Sequence, residues 1–221
     1  MTGSPTALND SRYAEVKDGR PRAQEIWLLH GYASNQDDLH GLAPYLTKQF
    51  TVRSLRATYP LDMGGYAWYS LSFDVHGVRQ VDSPEAFSSV ERVKLALEWH
   101  AHEFPASPRP ILVGFSQGGI LSNAIGYNHP ELVRGVAAIA SYFPWEWEGH
   151  VAKAESTSLP FWAAVGSEDG VVPASLSIPT YERAKNEKGL NLTHQTYPMP
   201  HTISPTCFAD LNQWLLELSA S

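Results

Sequence analysis

Residues 114–119 read Gly-Phe-Ser-Gln-Gly-Gly, a G-x-S-x-G pattern centred on Ser116. With glycine and serine each near 7% of residues, chance alone supplies such a pattern in roughly one chain of this length in fifteen. Its context carries more weight. The apolar run Ile111-Leu112-Val113 stands directly before it, and a helix-like stretch from Leu121 to Tyr127 follows, stopping before Pro130. Strand, tight turn and helix are the setting in which a serine hydroxyl stands clear of a sheet as a nucleophile. Gly114 and Gly118 lack a Cβ, so backbone can pass close to the bend. A helix beginning near Gln117 would aim its free N–H groups at the place where negative charge develops. The competing reading is a glycine-rich turn with an incidental serine.

A serine hydroxyl is a poor nucleophile without a base. Where a triad follows such an elbow, its members run in the order serine, acid, histidine. Four histidines lie beyond Ser116: His129, His150, His194 and His201. His194 falls inside a strand pattern, facing a helix layer, and His129 ends the helix after the elbow. His201 follows the last strand, in Pro198-Met199-Pro200-His201-Thr202, at the edge where open α/β sheets keep their sites. The acid should follow an intervening strand. Phe161 to Val165 leads into Gly166-Ser167-Glu168-Asp169-Gly170, which nominates Asp169, with Glu168 as the runner-up and a plain turn residue as the other reading of Asp169. Asp210 comes after His201, the wrong order. An oxyanion needs two backbone donors. One is the N–H of Gln117. The other is assigned to Tyr32 in His30-Gly31-Tyr32, after the run Ile26 to Leu29, with His30 bracing the loop rather than reacting.

These residues need a scaffold with parallel strands. The chain has 221 residues, 43% hydrophobic and 11% aromatic, enough for one domain, 1–221, with a core of its own. Short apolar runs alternate with helix-like stretches, which predicts a mostly parallel α/β sheet with helices on both faces. The strands are Val52 to Ala57, Val136 to Ala140, Phe161 to Val165 and Leu192 to Tyr197, besides those already named. An earlier one, Arg12 to Val16, closes on the hairpin signal Asp18-Gly19. Helical spacing appears at Leu39, Leu42, Ala43 and Leu46. A second helix opens with a cap at Ser83-Pro84-Glu85 and buries Val90, Val93, Leu97 and Ala101. The last carries Phe208, Leu211, Leu215 and Leu218.

Composition removes several other classes. Lys+Arg 16 against Asp+Glu 23 gives a net charge of −7, and no basic run exists, so a nucleic-acid partner is not expected. A single cysteine, Cys207, excludes an internal disulfide and any multi-cysteine metal site, and it reads as a packing residue. His100 and His102, two apart on a helix, face different ways, so no metal site is expected there. Glu182, Arg183, Lys185, Glu187 and Lys188 read as a solvated helix face. Met1 to Asp10 holds no apolar core of a signal peptide and no run approaches a membrane span, so the expectation is a cytoplasmic protein. Two aromatic runs follow strand ends: Tyr66, Trp68, Tyr69 and Phe73, then Tyr142, Phe143, Trp145 and Trp147. They read as acyl-pocket walls, with Trp68, Tyr69, Tyr142 and Phe143 as substrate-binding candidates, or as loop packing.

Taken together, these segments resemble the phospholipase/carboxylesterase family, which includes acyl-protein thioesterases. Leu29-His30-Gly31 with Asp38, Gly114 to Gly119, Ala140 to Pro144, Gly166 to Pro173 and Met199 to Pro205 are similar to its motifs, over roughly residue 24 to the end. The resemblance implies an α/β-hydrolase fold without a large cap domain. It carries nucleophile, acid and base onto Ser116, Asp169 and His201, and the oxyanion donors onto Tyr32 and Gln117, with no cofactor. Departures are Val165 for a histidine, Pro200 for a glycine, and Tyr32-Ala33 for Leu-Gly beside the oxyanion hole. The bulkier Tyr32 implies a reshaped acyl pocket. The expected function is a serine carboxylesterase acting on a small-molecule ester of small to medium acyl length. A thioesterase or lysophospholipase is the nearest alternative, and a non-catalytic hydrolase-like binding protein is the rival from another class. A homodimer is left open.

Overall fold

The computed structural model describes residues 11–14, 24–46, 49–76, 79–147 and 158–220. Strands β1 (Arg12–Ala14), β2 (Gln24–Leu29) and β3 (Phe50–Leu55) come first. Two small hairpins follow, β4 (Tyr59–Pro60) with β5 (Tyr66–Ala67) and β6 (Leu71–Phe73) with β7 (Arg79–Val81). The remaining strands are β8 (Ile111–Phe115), β9 (Gly135–Ile139), β10 (Phe161–Gly166) and β11 (Leu192–Tyr197). Seven form one sheet in the order β1-β3-β2-β8-β9-β10-β11, six of them parallel and β1 antiparallel at the edge.

The helices are α1 (Gln36–His40), α2 (Ser83–Glu103), α3 (Gln117–Asn128), α4 (Ala174–Asn186) and α5 (Pro205–Ala220). Period-two side-chain alternation divides them between the sheet's faces. Ile26, Leu28, Ile111 and Val113 pack with Leu39 of α1 and Cys207, Leu211 and Leu215 of α5. Trp27, Leu29, Leu112 and Val165 pack on the other face with α2, α3 and α4, among them Val93, Leu121 and Tyr181. With both faces covered, the central strands β8, β9 and β10 are apolar almost throughout, which is why they read as continuous runs, whereas β11 at the edge alternates with exposed polar residues. Among the described residues no helix is long and apolar enough to cross a membrane.

The structure corrects several expected elements. β1 does not pair with β2; it pairs antiparallel with β3, Tyr13 opposite Arg53. Both sides of β2 are already taken, by β3 and β8, so the free ladder groups lie on β3. The Asp18-Gly19 turn lies outside the described residues. Leu39 to Leu46 is not one helix. α1 stops at Gly41 and a single 3₁₀ turn, Ala43–Tyr45, follows. Pro44 lacks the N–H that an α-helix would use there. Leu39 and Leu46 are nonetheless buried. The cap of α2 is Asp82 rather than Ser83: its carboxylate accepts the Glu85 N–H at 3.0 Å. Ala101 is exposed near the end of that helix, where His100 takes the buried position.

Cys207 is fully buried, and burial pushes its thiol up to about 12. The charged face of α4 is less solvated than its composition implies. Glu182 bonds His194 at 2.7 Å, and Arg183 and Lys188 lie over the Trp145 ring. His194 does face that helix, as its place in the strand pattern predicts.

Candidate active site

Each candidate residue follows the C-terminal end of a parallel strand: Tyr32 after β2, Ser116 after β8, Asp169 after β10 and His201 after β11. Ser116 has φ 52° and ψ −118°, a left-handed region that a residue with a Cβ enters only under local constraint. The constraint is built from backbone. The Ser116 N–H donates to Ile139 O at 2.8 Å, and its carbonyl accepts from Ile120 at 3.0 Å, which starts α3 at Gln117, as the elbow reading expected. A Cβ on Gly118 would lie 2.1 Å from Leu29 O, so the helix abuts the β2 end only because residue 118 has no side chain.

The serine, histidine and acid meet in line. His201 Nε2 is 3.0 Å from Ser116 Oγ, and His201 Nδ1 is 2.7 Å from Asp169 Oδ2. In the tautomer that satisfies both contacts, Nδ1–H donates to the carboxylate and Nε2 accepts the serine hydroxyl hydrogen. The other carboxylate oxygen, Asp169 Oδ1, accepts the N–H groups of Val171 and Val172, each at 2.8 Å. The Asp169 side chain is fully buried, and the Phe115 ring packs on His201 with centroids 4.9 Å apart. Glu168 is exposed and reaches none of these groups. His129 sits at the end of α3 near Glu131, and His150 lies outside the described residues.

Tyr32 and Gln117 both border the cleft beside Ser116. Gln117 opens α3, whose first-turn N–H groups have no acceptors within the helix. Its side chain has a role that the sequence pattern did not disclose. Oε1 accepts the Trp68 N–H at 2.8 Å, and Nε2 donates to Tyr69 O at 2.7 Å. The Trp68 indole N–H in turn donates to His30 O at 2.9 Å. Gln117 therefore ties the elbow to the segment after β5, and Trp68 ties that segment to the Tyr32 loop.

His30 braces the loop, as expected. Its Nδ1 lies 2.7 Å from Gly31 O, and its Nε2 accepts the Ala57 N–H at 3.0 Å. Only a neutral ring with the proton on Nδ1 serves both partners. Burial holds its pKa below the usual histidine value, against the opposing pull of Gly31 O and Asp38. In the same loop Ala33 adopts φ 58°, a conformation that favours glycine, so this chain holds a left-handed turn with an alanine.

His30→Asn should be destabilised near pH 7.5 by about 2 kcal/mol, or roughly 4–8 °C in Tm, because the Ala57 N–H loses its acceptor. The sign with pH follows from the lowered pKa. As pH falls through about 6.5 the unfolded chain binds a proton that folded His30 resists. Stability from this group is thus whole above that pH and is lost on going below it. Thermal melts of both proteins near pH 7.5 and pH 5 should show the gap between them narrowing in acid.

Of the four aromatic pocket candidates, Tyr69 lines the cleft. Trp68, Tyr142 and Phe143 do not border it. They are 1%, 5% and 2% exposed and pack in the core behind it: the Trp68 indole lies against His30, and Phe143 packs on Tyr127 of α3. Phe143 stacks on Trp145, and the Tyr142 hydroxyl donates to Glu146 at 2.7 Å. The cleft has a volume of about 260 Å³. Beyond the triad its walls include Leu71, Val81, Ile120 and Val172, with Arg79 and Asp38 as charged members.

A twisted parallel sheet covered on both faces, with a serine at a strained strand-to-helix elbow, defines a serine hydrolase of the α/β-hydrolase fold. The phospholipase/carboxylesterase family model matches residues 12–219, and the chain belongs to that family. It is a serine esterase in the broad sense that covers esterases and thioesterases. Acyl-protein thioesterase 1 of Mycosarcoma maydis is 27% identical over 214 residues, 86% of this chain and 89% of that protein. Among solved structures, esterase PE8 superposes with a TM-score of 0.81 at 21% identity, covering 95% of this chain and 98% of its own. The Bacillus cereus carboxylesterase superposes with a TM-score of 0.77 at 17% identity, covering 94% and 93%. At these identities the two structures speak for the fold.

Proposed function

We propose that the chain hydrolyses carboxylic esters of small to medium acyl length through an acyl-enzyme on Ser116. The supporting observation is the unbroken contact Ser116–His201–Asp169 at the floor of the cleft. His201 Nε2 takes the hydroxyl proton as Ser116 Oγ attacks the ester carbonyl. Asp169 holds the ring in the accepting tautomer and stabilises the imidazolium. The N–H groups of Tyr32 and Gln117 receive the oxyanion, assisted by the positive end of α3. His201 then returns the proton to the leaving alkoxide, and the same base activates water to release the acid. No step draws on a cofactor. The substrate is a small molecule, and the expected compartment is the cytoplasm.

The second reading, a thioesterase on acylated proteins, is favoured by the acyl-protein thioesterase relative. Cleft size supports the first. About 260 Å³ falls just below the range of about 300–1,000 Å³ that accommodates drug-sized ligands, and Tyr32 lines the cleft with Ser116. A matched series of p-nitrophenyl esters and acyl thioesters should give its highest kcat/KM with oxygen esters of about two to six acyl carbons. A fluorophosphonate probe should label Ser116 and block that turnover. Highest rates on long-chain thioesters would transfer the assignment to the second reading, and labelling elsewhere would remove the nucleophile.

A further inference from the structure

Among the described residues that line the cleft, Arg79 carries its positive charge besides any held by His201. It stands on β7, across from Phe73 on β6, and is half-buried. Its guanidinium lies 5.8 Å from the centroid of the Tyr142 ring. Tyr142 itself is fixed by its hydroxyl bond to Glu146. Among the described residues no carboxylate forms an ion pair with Arg79 within 4.0 Å. Arginines that only staple a surface together end on a carboxylate or a carbonyl. This one lies over the Tyr142 ring and shares a side-chain hydrogen bond with that residue behind the cleft, so the N–H groups of its planar fork that Tyr142 does not take remain for a ligand.

We propose that Arg79 is a specificity-determining residue, and that the preferred ester carries a second group that is a carboxylate, bound by this guanidinium. The proposal rests on the esterase reading above and deepens it. A guanidinium binds carboxylate through two parallel charge-assisted hydrogen bonds, a geometry that an ammonium reproduces poorly. Leu71 and Val81, on the same hairpin, and Tyr69 exclude water around the rest of the ligand. Asp38 lines the cleft from α1, where its carboxylate takes the Ser34 hydroxyl hydrogen at 2.6 Å. The opposite charges sit on separate segments, so an anion is drawn to one wall and repelled from the other. That polarity orients the ester relative to Ser116 as well as binding it.

The carboxylate could belong to the acyl part or to the alcohol part, and paired substrates separate these. On the acyl side, p-nitrophenyl hydrogen glutarate is compared with its methyl ester. On the alcohol side, meta-acetoxybenzoate is compared with its amide. Each rate is divided by the buffer-catalysed rate, and active sites are titrated by fluorophosphonate labelling of Ser116. In at least one pair the charged member should be preferred by about tenfold to a hundredfold in kcat/KM. Arg79→Gln should lower that charged-to-neutral ratio by at least about tenfold, Arg79→Lys should retain part of it, and added salt should reduce it in the wild type. The pair that responds identifies the side that bears the charge. A wild-type ratio at or below one in both pairs, or a ratio untouched by Arg79→Gln, overturns the proposal. Such a failure in enzyme that titrates at Ser116 leaves the esterase reading standing. Absence of Ser116 labelling in enzyme that turns over esters removes that reading first.

Discussion

Replacing Ser116 by alanine should lower kcat for ester hydrolysis by on the order of a millionfold, with the fold intact. The size follows from how a triad behaves as a unit: losing the nucleophile costs about as much as losing all three members, and only oxyanion binding remains. The fold should persist because the hydroxyl makes a single side-chain contact, to His201. The bonds that shape the elbow, to Ile139 and from Ile120, are backbone bonds that alanine keeps. Stability should therefore change by no more than about 0.5 kcal/mol. Turnover of an aryl ester, circular dichroism melting and mass spectrometry after fluorophosphonate treatment check the three parts. A variant that retained a thousandth of the activity, or still took up the probe, would place the nucleophile elsewhere.

The residues of the proposed triad were legible in the sequence because their constraints are local and ordered. The G-x-S-x-G turn needs an apolar strand before it and a helix after it, and both are plain in residues 111–127. Chain order and position relative to strand ends then separated Asp169 from Asp210, and His201 from His129 and His194. What stayed hidden depends on which way a side chain turns out of an irregular loop. The run Tyr142 to Trp147 is equally apolar whether it lines a cleft or roofs a core, and it roofs the core. Tyr69 lines the cleft while its neighbour Trp68 turns inward to donate to His30 O. Arg79 sits on a three-residue strand, too short for any periodicity to mark its face. The partner of β1 stayed hidden for another reason. A turn signal reports local chain reversal, whereas pairing is decided by which strand still has a free edge.

Asp169→Asn should cost about four orders of magnitude in kcat, whereas Glu168→Gln should be mild, and the difference comes from tautomers rather than charge alone. Asp169 Oδ1 is committed to two N–H donors, from Val171 and Val172. An asparagine here must keep its carbonyl oxygen on those donors, since turning its NH₂ toward them would set donor against donor. Its NH₂ is then left facing His201 Nδ1. That nitrogen can meet it only as an acceptor, which moves the ring proton to Nε2. Nε2–H now points at Ser116 Oγ, and the base has no lone pair with which to take the hydroxyl proton. The geometry changes little; the proton is on the wrong atom. Glu168, exposed and out of reach of the imidazole, offers no such route. Steady-state kinetics give the size of both effects. Proton NMR of the imidazole N–H signals gives their cause: the Nδ1–H resonance of His201 should be present in the wild type and in Glu168→Gln and absent in Asp169→Asn. A large loss in Glu168→Gln with that resonance kept in Asp169→Asn would transfer the orienting role to Glu168.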